Sequence, residues 1–92
     1  MRWRIPRVEA LAWRDLDDEV IVRNELTGST HLLDSLAAEI LLTLISANRA
    51  LSAGELAEAL AGSEGETEPE LLPSIEATLS QFQRLGIAEP SD

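Results

Sequence analysis

His31 is the single histidine of the sequence and the first residue to consider for acid–base or metal chemistry. A catalytic histidine needs an orienting partner or a second titratable group within reach, and the sequence shows no such partner. His31 falls in a predicted strand, where a partly exposed strand histidine is the favoured interpretation. The pair Asp17 and Asp18 is typical of a turn rather than of a metal site.

Four alternating glutamates form the second candidate for a cation site: Glu64, Glu66, Glu68 and Glu70. They lack the spacing and the Asp or Asn ligands of an EF-hand, so a solvated acidic loop is the favoured interpretation. The chain has no cysteine, which excludes disulfides, thiolate metal sites and cysteine nucleophiles. Its five glycines are scattered and form no phosphate-binding loop. The sequence therefore predicts a binding protein that is not an enzyme and needs no cofactor.

Arginine and tryptophan alternate at the N-terminus, in Arg2, Trp3, Arg4 and Arg7, as they do in some nucleic-acid-binding segments. The whole chain, however, has a net charge of −10, and residues 50–92 hold nine acidic residues and one arginine. Such a body repels phosphates. We therefore expect no nucleic-acid partner, and we expect Trp3 to pack on the sheet with the arginines paired to carboxylates.

The first third of the chain has the pattern of strands. Residues 11–14 alternate in polarity, residues 19–23 are β-branched at the centre, and residues 29–33 form a third candidate strand. A turn at residues 24–28 ends in Gly28, which can take a positive φ. These residues predict a three-stranded antiparallel meander, preceded by an arm at residues 1–9 and belonging to a single domain at residues 10–92.

Three helices are predicted to follow the meander. Asp34 can cap the first, which is apolar most of the way round and is therefore expected at the centre of the domain. Ser52 and Glu55 form a capping box for the second, with a hydrophobic staple from Leu51 to Leu56.

The second helix is expected to end at Gly62, and the third is predicted to run from near Leu72 to Leu85 with Gly86 as its C-terminal cap. The predicted fold class is α+β, with a three-stranded antiparallel meander followed by three helices. The longest nearly apolar stretch, residues 36–45, is too short to cross a bilayer, so we expect no membrane partner and a cytoplasmic location.

The order of these segments resembles the PqqD-like peptide chaperones, also called RiPP recognition elements. The resemblance rests on residues 30–44, where a strand meets an Asp and an apolar helix, on the helix opening at residues 51–60, and on the helix ending at residues 82–87. Trp13-Arg14 before an acidic turn is similar to the subset encoded beside HPr-kinase-like genes. The acidic loop at residues 62–70 departs from the family pattern, as does Pro73.

The resemblance implies a winged-helix-like domain that binds the leader segment of a ribosomally made precursor peptide and presents it to a modifying enzyme. The family holds that peptide as an extra strand beside the third strand, in a groove whose other wall is the third helix. The strand wall would comprise Ser29, Thr30, His31, Leu32 and Leu33. The helix wall would comprise Leu71, Ser74, Thr78, Gln81 and Leu85.

Other uses of such a surface remain open. The acidic C-terminal half favours a leader peptide or an enzyme with basic residues, since opposite potentials speed encounter. A free third strand could also pair with its twin in a homodimer. The alternatives to peptide presentation are a generic protein–protein interaction module, an enzyme inhibitor, and a winged-helix transcription regulator.

Overall fold

A computed structural model gives the fold and describes residues 1–17, 19–61 and 70–91. The strands and helices follow in this order: β1 Arg2–Arg4, β2 Leu11–Leu16, β3 Glu19–Asn24, β4 Ser29–Leu33, α1 Ser35–Ala47, β5 Leu51–Ser52, α2 Ala53–Ala61, α3 Leu71–Leu85 and β6 Glu89–Pro90. A short 3-10 turn, Val8–Ala10, leads into β2. The predicted α+β class, a meander followed by three helices, is confirmed.

The meander is an antiparallel sheet in the order β2-β3-β4. Its two hairpins are regular, because the pairing runs without a break from Leu11↔Asn24 to Leu16↔Glu19 and from Val20↔Leu33 to Asn24↔Ser29. Gly28 takes a φ of 75° in the turn before β4, which is the positive value expected there.

The first helix lies at the centre of the domain, as its sequence predicts. The Asp34 carboxylate caps α1 by accepting a hydrogen bond from the Ala37 amide at 2.9 Å. Ile40 and Leu41 are fully buried, and α1 contacts β3, β4, α2 and α3. The core therefore forms around this helix.

The capping box at the start of α2 is also confirmed. The Ser52 amide donates to Glu55 Oε1 at 2.9 Å, and the Glu55 amide donates to Ser52 Oγ at 3.1 Å. Leu51 and Leu56, the two residues of the expected staple, are both buried. Gly62 lies outside the described residues, as do Asp18, Glu64, Glu66 and Glu68, so the expectations placed on them are not addressed by the structure.

The capping carboxylate of Glu55 contributes to the pH dependence of stability. The pKa of Glu55 is lowered from its ordinary value of 4.5, first by the hydrogen bond from the Ser52 backbone amide and further by Arg49 and Arg2. A carboxyl group whose pKa is lowered on folding stabilises the native state above its unfolded pKa, and this contribution is lost as the pH falls through the folded value.

We expect the stability of the wild type to fall relative to that of Glu55→Gln as the pH drops below about 4.5. Glutamine keeps the capping hydrogen bond but does not titrate. Urea unfolding midpoints across this pH range measure the difference. Glu58→Gln, an exposed position on the same helix, is the matched control for loss of one charge. Parallel pH curves for wild type and Glu55→Gln would refute the assignment.

The N-terminal segment forms a second sheet that the sequence analysis did not predict. Its central strand is β1, between β5 and β6, and the pairs are Trp3↔Leu51 and Trp3↔Pro90. Trp3 is buried in the main core, as expected, although the sheet it belongs to is this one and not the meander. The third strand of this sheet is the two-residue β6, Glu89–Pro90, near the end of the chain.

Candidate functional site

The strand expected to receive a peptide, β4, lies at one edge of the meander, and β2 lies at the other. An edge strand has one row of backbone N–H and C=O groups with no partner in its own sheet. Because successive residues of an antiparallel strand direct these groups to opposite sides, only alternate residues of β4 offer them at the free edge.

One hydrogen bond outside the strands fixes which residues these are. The Glu25 amide donates to the Ala10 carbonyl at 2.7 Å, which extends the β2–β3 ladder by one pair. Odd-numbered residues of β3 therefore bond to β2, and even-numbered residues bond to β4. The β4 residues opposite these even-numbered residues, such as His31 opposite Val22, therefore direct their backbone N–H and C=O groups toward β3. Thr30 and Leu32 are left to present four backbone groups at the free edge.

The same alternation assigns the opposite edge. Ala12, Arg14 and Leu16 pair with the odd-numbered residues of β3 and bond inward. Trp13 and Asp15 consequently direct their backbone groups to the free edge of β2. Among the described residues both edges of the meander are thus free, and the β2 edge provides an internal comparison for the β4 edge.

The side chains of β4 divide between two faces of the sheet. Ser29 and His31 are partly buried, and Leu33 is buried in the core with 4% of its surface exposed. Thr30 and Leu32 point to the other face, where Leu32 is 57% exposed. The Leu33 side chain therefore belongs to the core and its backbone groups face Val20 of β3, whereas the side chains of Ser29 and His31 on the same face remain partly exposed.

The five helix residues of the candidate site lie along one flank of α3. Their spacing of three and four residues places them about a quarter turn from the buried stripe Ile75, Leu79 and Phe82. These three residues are buried in the core. Along the flank, Leu71, Thr78 and Leu85 are partly buried, and Ser74 and Gln81 are exposed.

The hydroxyl group of Thr78 is bonded within its own helix. Its Oγ1 donates to the Ser74 carbonyl one turn earlier, at 2.9 Å. Leu71 and Leu85 pack partly against the core at either end of the helix. The flank is therefore apolar along its inner edge and polar only at the exposed positions.

The C-terminal end of α3 lies beside the hairpin that leads into β4. Gly86 has a φ of 76° and ends the helix as predicted, and its Cβ position lies 3.8 Å from Asn24 Nδ2. Asn24 is the β3 partner of Ser29. The start of β4 and the end of α3 are thus adjacent, and both elements also contact α1.

His31 has an unsatisfied polar atom. Its Nε2 is enclosed by the protein and has no hydrogen-bond partner, and no other buried side-chain nitrogen or oxygen in residues 1–17, 19–61 and 70–91 is in this state. Buried polar atoms are paired in the great majority of cases, so the exception calls for an explanation.

Two arginines of the N-terminal segment, Arg2 and Arg4, lie beside carboxylates. Arg4 Nη2 lies 3.2 Å from Glu89 Oε1, and Arg2 Nε lies 3.6 Å from Glu55 Oε1. The expected pairing with carboxylates is thus found for Arg2 and Arg4, and Trp3 is buried, although in the second sheet and not on the meander. Within the described residues, no cluster of three metal-ligating side chains is found, and no helix has the length and apolarity to span a membrane.

The fold matches two solved structures along nearly its whole length. TbiB1 in complex with the TbiA(beta) leader peptide aligns with a TM-score of 0.73 at 20% identity, covering 97% of this chain and 98% of that one. A lasso peptide synthetase B1 complexed with its leader peptide aligns with a TM-score of 0.69 at 22% identity, covering 96% and 98%. No protein-family model and no curated sequence matches the chain. This protein therefore has the fold of the lasso peptide synthetase B1 proteins, consistent with its resemblance to the PqqD-like peptide chaperones.

Proposed function

We propose that this chain binds the leader segment of a ribosomally made precursor peptide and presents it to a modifying enzyme. The observation that carries the proposal is the free edge of β4, where Thr30 and Leu32 direct their backbone groups outward. An extended peptide gains backbone hydrogen bonds by adding to such an edge. Two solved structures with this fold are complexes of a protein with a leader peptide, which supports the same class of ligand here.

Specificity would come from the space between β4 and the flank of α3. In this proposal the peptide would contact Ser29 and His31 on the strand side and Leu71, Thr78 and Leu85 on the helix side. A peptide strand places alternate side chains into it. Ser74 and Gln81 would contact the peptide at the exposed rim.

The chain acts in this proposal as a cytoplasmic binding protein and not as a catalyst. Its excess of acidic residues favours a leader peptide or an enzyme surface that carries basic residues. Attraction between opposite charges should speed the association with such a partner at low salt. If the association rate is the same at low and high salt, this electrostatic contribution is absent.

A second candidate function uses the same edge. Strand β4 could pair with β4 of a second copy, which would make the chain an interaction module rather than a peptide carrier. A winged-helix transcription regulator is less well supported, because α3 carries Arg84 as its one basic residue together with Glu76.

The test begins with a selection of random displayed peptides on the immobilised chain. The most enriched sequence, called the selected peptide below, is titrated into ¹⁵N-labelled protein. Backbone shifts concentrated on residues 29–33 and 71–85 would support the proposal. Shifts on the β2 edge, or no enrichment of any peptide, would contradict it. Light scattering measures the molar mass of the chain with and without the peptide. A dimer that becomes a monomer when the peptide binds would show that β4 pairs with a second copy in the free protein.

A further inference from the structure

His31 combines two properties that do not usually occur together. It lies in the middle of an edge strand, and its Nε2 is enclosed without a hydrogen-bond partner. A buried nitrogen without a partner loses its hydrogen bonds to water and gains none from the protein. The residue is therefore a poor choice for a purely structural position, where a leucine would pack without that loss.

The backbone of His31 is already occupied by β3. It pairs with Val22, which is almost fully buried, and its N–H and C=O face inward by the alternation established above. Only the His31 side chain can therefore interact with a strand added at the free edge. In an antiparallel addition, the peptide residue opposite His31 belongs to a non-hydrogen-bonded pair, whose side chains approach most closely.

No described residue, on α3 or elsewhere, supplies the missing hydrogen bond. The Thr78 hydroxyl is already bonded to the Ser74 carbonyl at 2.9 Å, and Leu71 and Leu85 are apolar. His31 as a residue is only partly buried, so the ring with its unpaired, enclosed nitrogen lies near the surface of the edge strand. To bond a side chain of the added strand, Nε2 has to leave this enclosed position, which requires the ring to change rotamer.

We propose that His31 sets the sequence preference of the groove by bonding a hydroxyl or carboxamide side chain on the peptide. This side chain, from Ser, Thr, Asn or Gln, belongs to the residue that faces His31 on the inner side of the added strand. Such groups both donate and accept, so they match either neutral tautomer of the ring. The inference deepens the proposed function and depends on it.

The selection experiment tests this preference when it is repeated with three variants. Glutamine places an amide nitrogen near the position of Nε2, asparagine places one near Nδ1, and leucine places none. We expect wild type and His31→Gln to enrich a hydroxyl or carboxamide residue at one position of the consensus. We expect His31→Leu and His31→Asn to lose that preference, with His31→Leu enriching an apolar residue instead.

Two measurements separate a role in recognition from a role in folding. The affinity of the selected peptide should fall roughly 2- to 12-fold for His31→Leu, the range of a single net hydrogen bond. The urea midpoint of the free His31→Leu protein should equal or exceed that of the wild type. The ¹⁵N resonance of Nε2 should shift on addition of the selected peptide.

Results that would refute the role of His31 differ from results that would refute peptide binding itself. One consensus shared by wild type and His31→Leu, at equal affinity, would show that His31 does not select the peptide. A lower urea midpoint of His31→Leu with unchanged preference would make it a structural residue. Enrichment of no peptide by the wild type would instead remove the proposed function, and this inference with it.

Discussion

Leu32→Pro should lower the affinity for the selected peptide by about tenfold or more while leaving the free domain folded. The Leu32 amide points to the free edge of β4, so proline removes a donor that no neighbouring strand uses. Edge strands tolerate proline at such positions. The proline ring would also occupy the place where the carbonyl of an added strand must approach, so the loss exceeds that of one hydrogen bond.

Two matched variants isolate the backbone effect. Leu32→Ala removes the exposed side chain but keeps the amide, and it should bind nearly as well as the wild type if the backbone dominates. Asp15→Pro removes an outward amide at the β2 edge and should leave binding unchanged. Fluorescence anisotropy measures the affinities, and far-UV circular dichroism verifies the fold. Wild-type binding by Leu32→Pro, with loss in Asp15→Pro, would place the peptide on β2.

The parts of this fold that the sequence predicted are those with strong local signals. Asp34 and the pair Ser52 and Glu55 satisfy backbone amides within three residues of themselves, so their spacing alone identifies the helix starts. The β-branched centre of β3 and Gly28 in the next turn act over similarly short distances. Such elements form for reasons that are visible in the chain itself.

The second sheet has no comparable local signal. Its strands are two or three residues long, and its central strand β1 pairs with residues near position 51 and near position 90. A strand of three residues is too short to show a period of two. Trp3 was correctly expected to be buried, but only the tertiary pairing reveals what it packs against.

From the sequence, the candidate site could be predicted as a strand and a helix. The sequence did not predict which residues of the strand direct backbone groups to the free edge and which contribute a side chain. Sequence similarity pointed to β4 and α3 together, but it did not separate Thr30 and Leu32, which offer backbone groups, from His31, which offers a side chain. That division depends on the register of both hairpins and on the bond from Glu25 to Ala10. Leu33, whose side chain lies in the core, differs from its neighbours for the same reason.

The stability of the domain should depend strongly on Trp3, the first aromatic residue of the chain. Trp3 is 8% exposed and packs in the core from the central strand of the second sheet. That strand is also tied to the C-terminal segment by the bond from the Ser91 amide to the Arg2 carbonyl at 2.8 Å. Trp3→Ala should reduce the free energy of unfolding by about 3–5 kcal/mol, the usual cost of truncating a large buried aromatic.

Trp13 provides the matched control, since the chain has two tryptophans and Trp13 is 44% exposed on β2. Trp13→Ala should cost about 1 kcal/mol or less. Urea unfolding followed by circular dichroism gives both free energies.

Each variant also retains one tryptophan whose fluorescence emission reports its surroundings. Trp3, which remains in Trp13→Ala, should emit at shorter wavelength than Trp13, which remains in Trp3→Ala. Because domains of this kind are stable by only about 5–15 kcal/mol, loss of Trp3 should leave little margin. Equal destabilisation by the two substitutions would mean that the N-terminal strand is not part of the folded core.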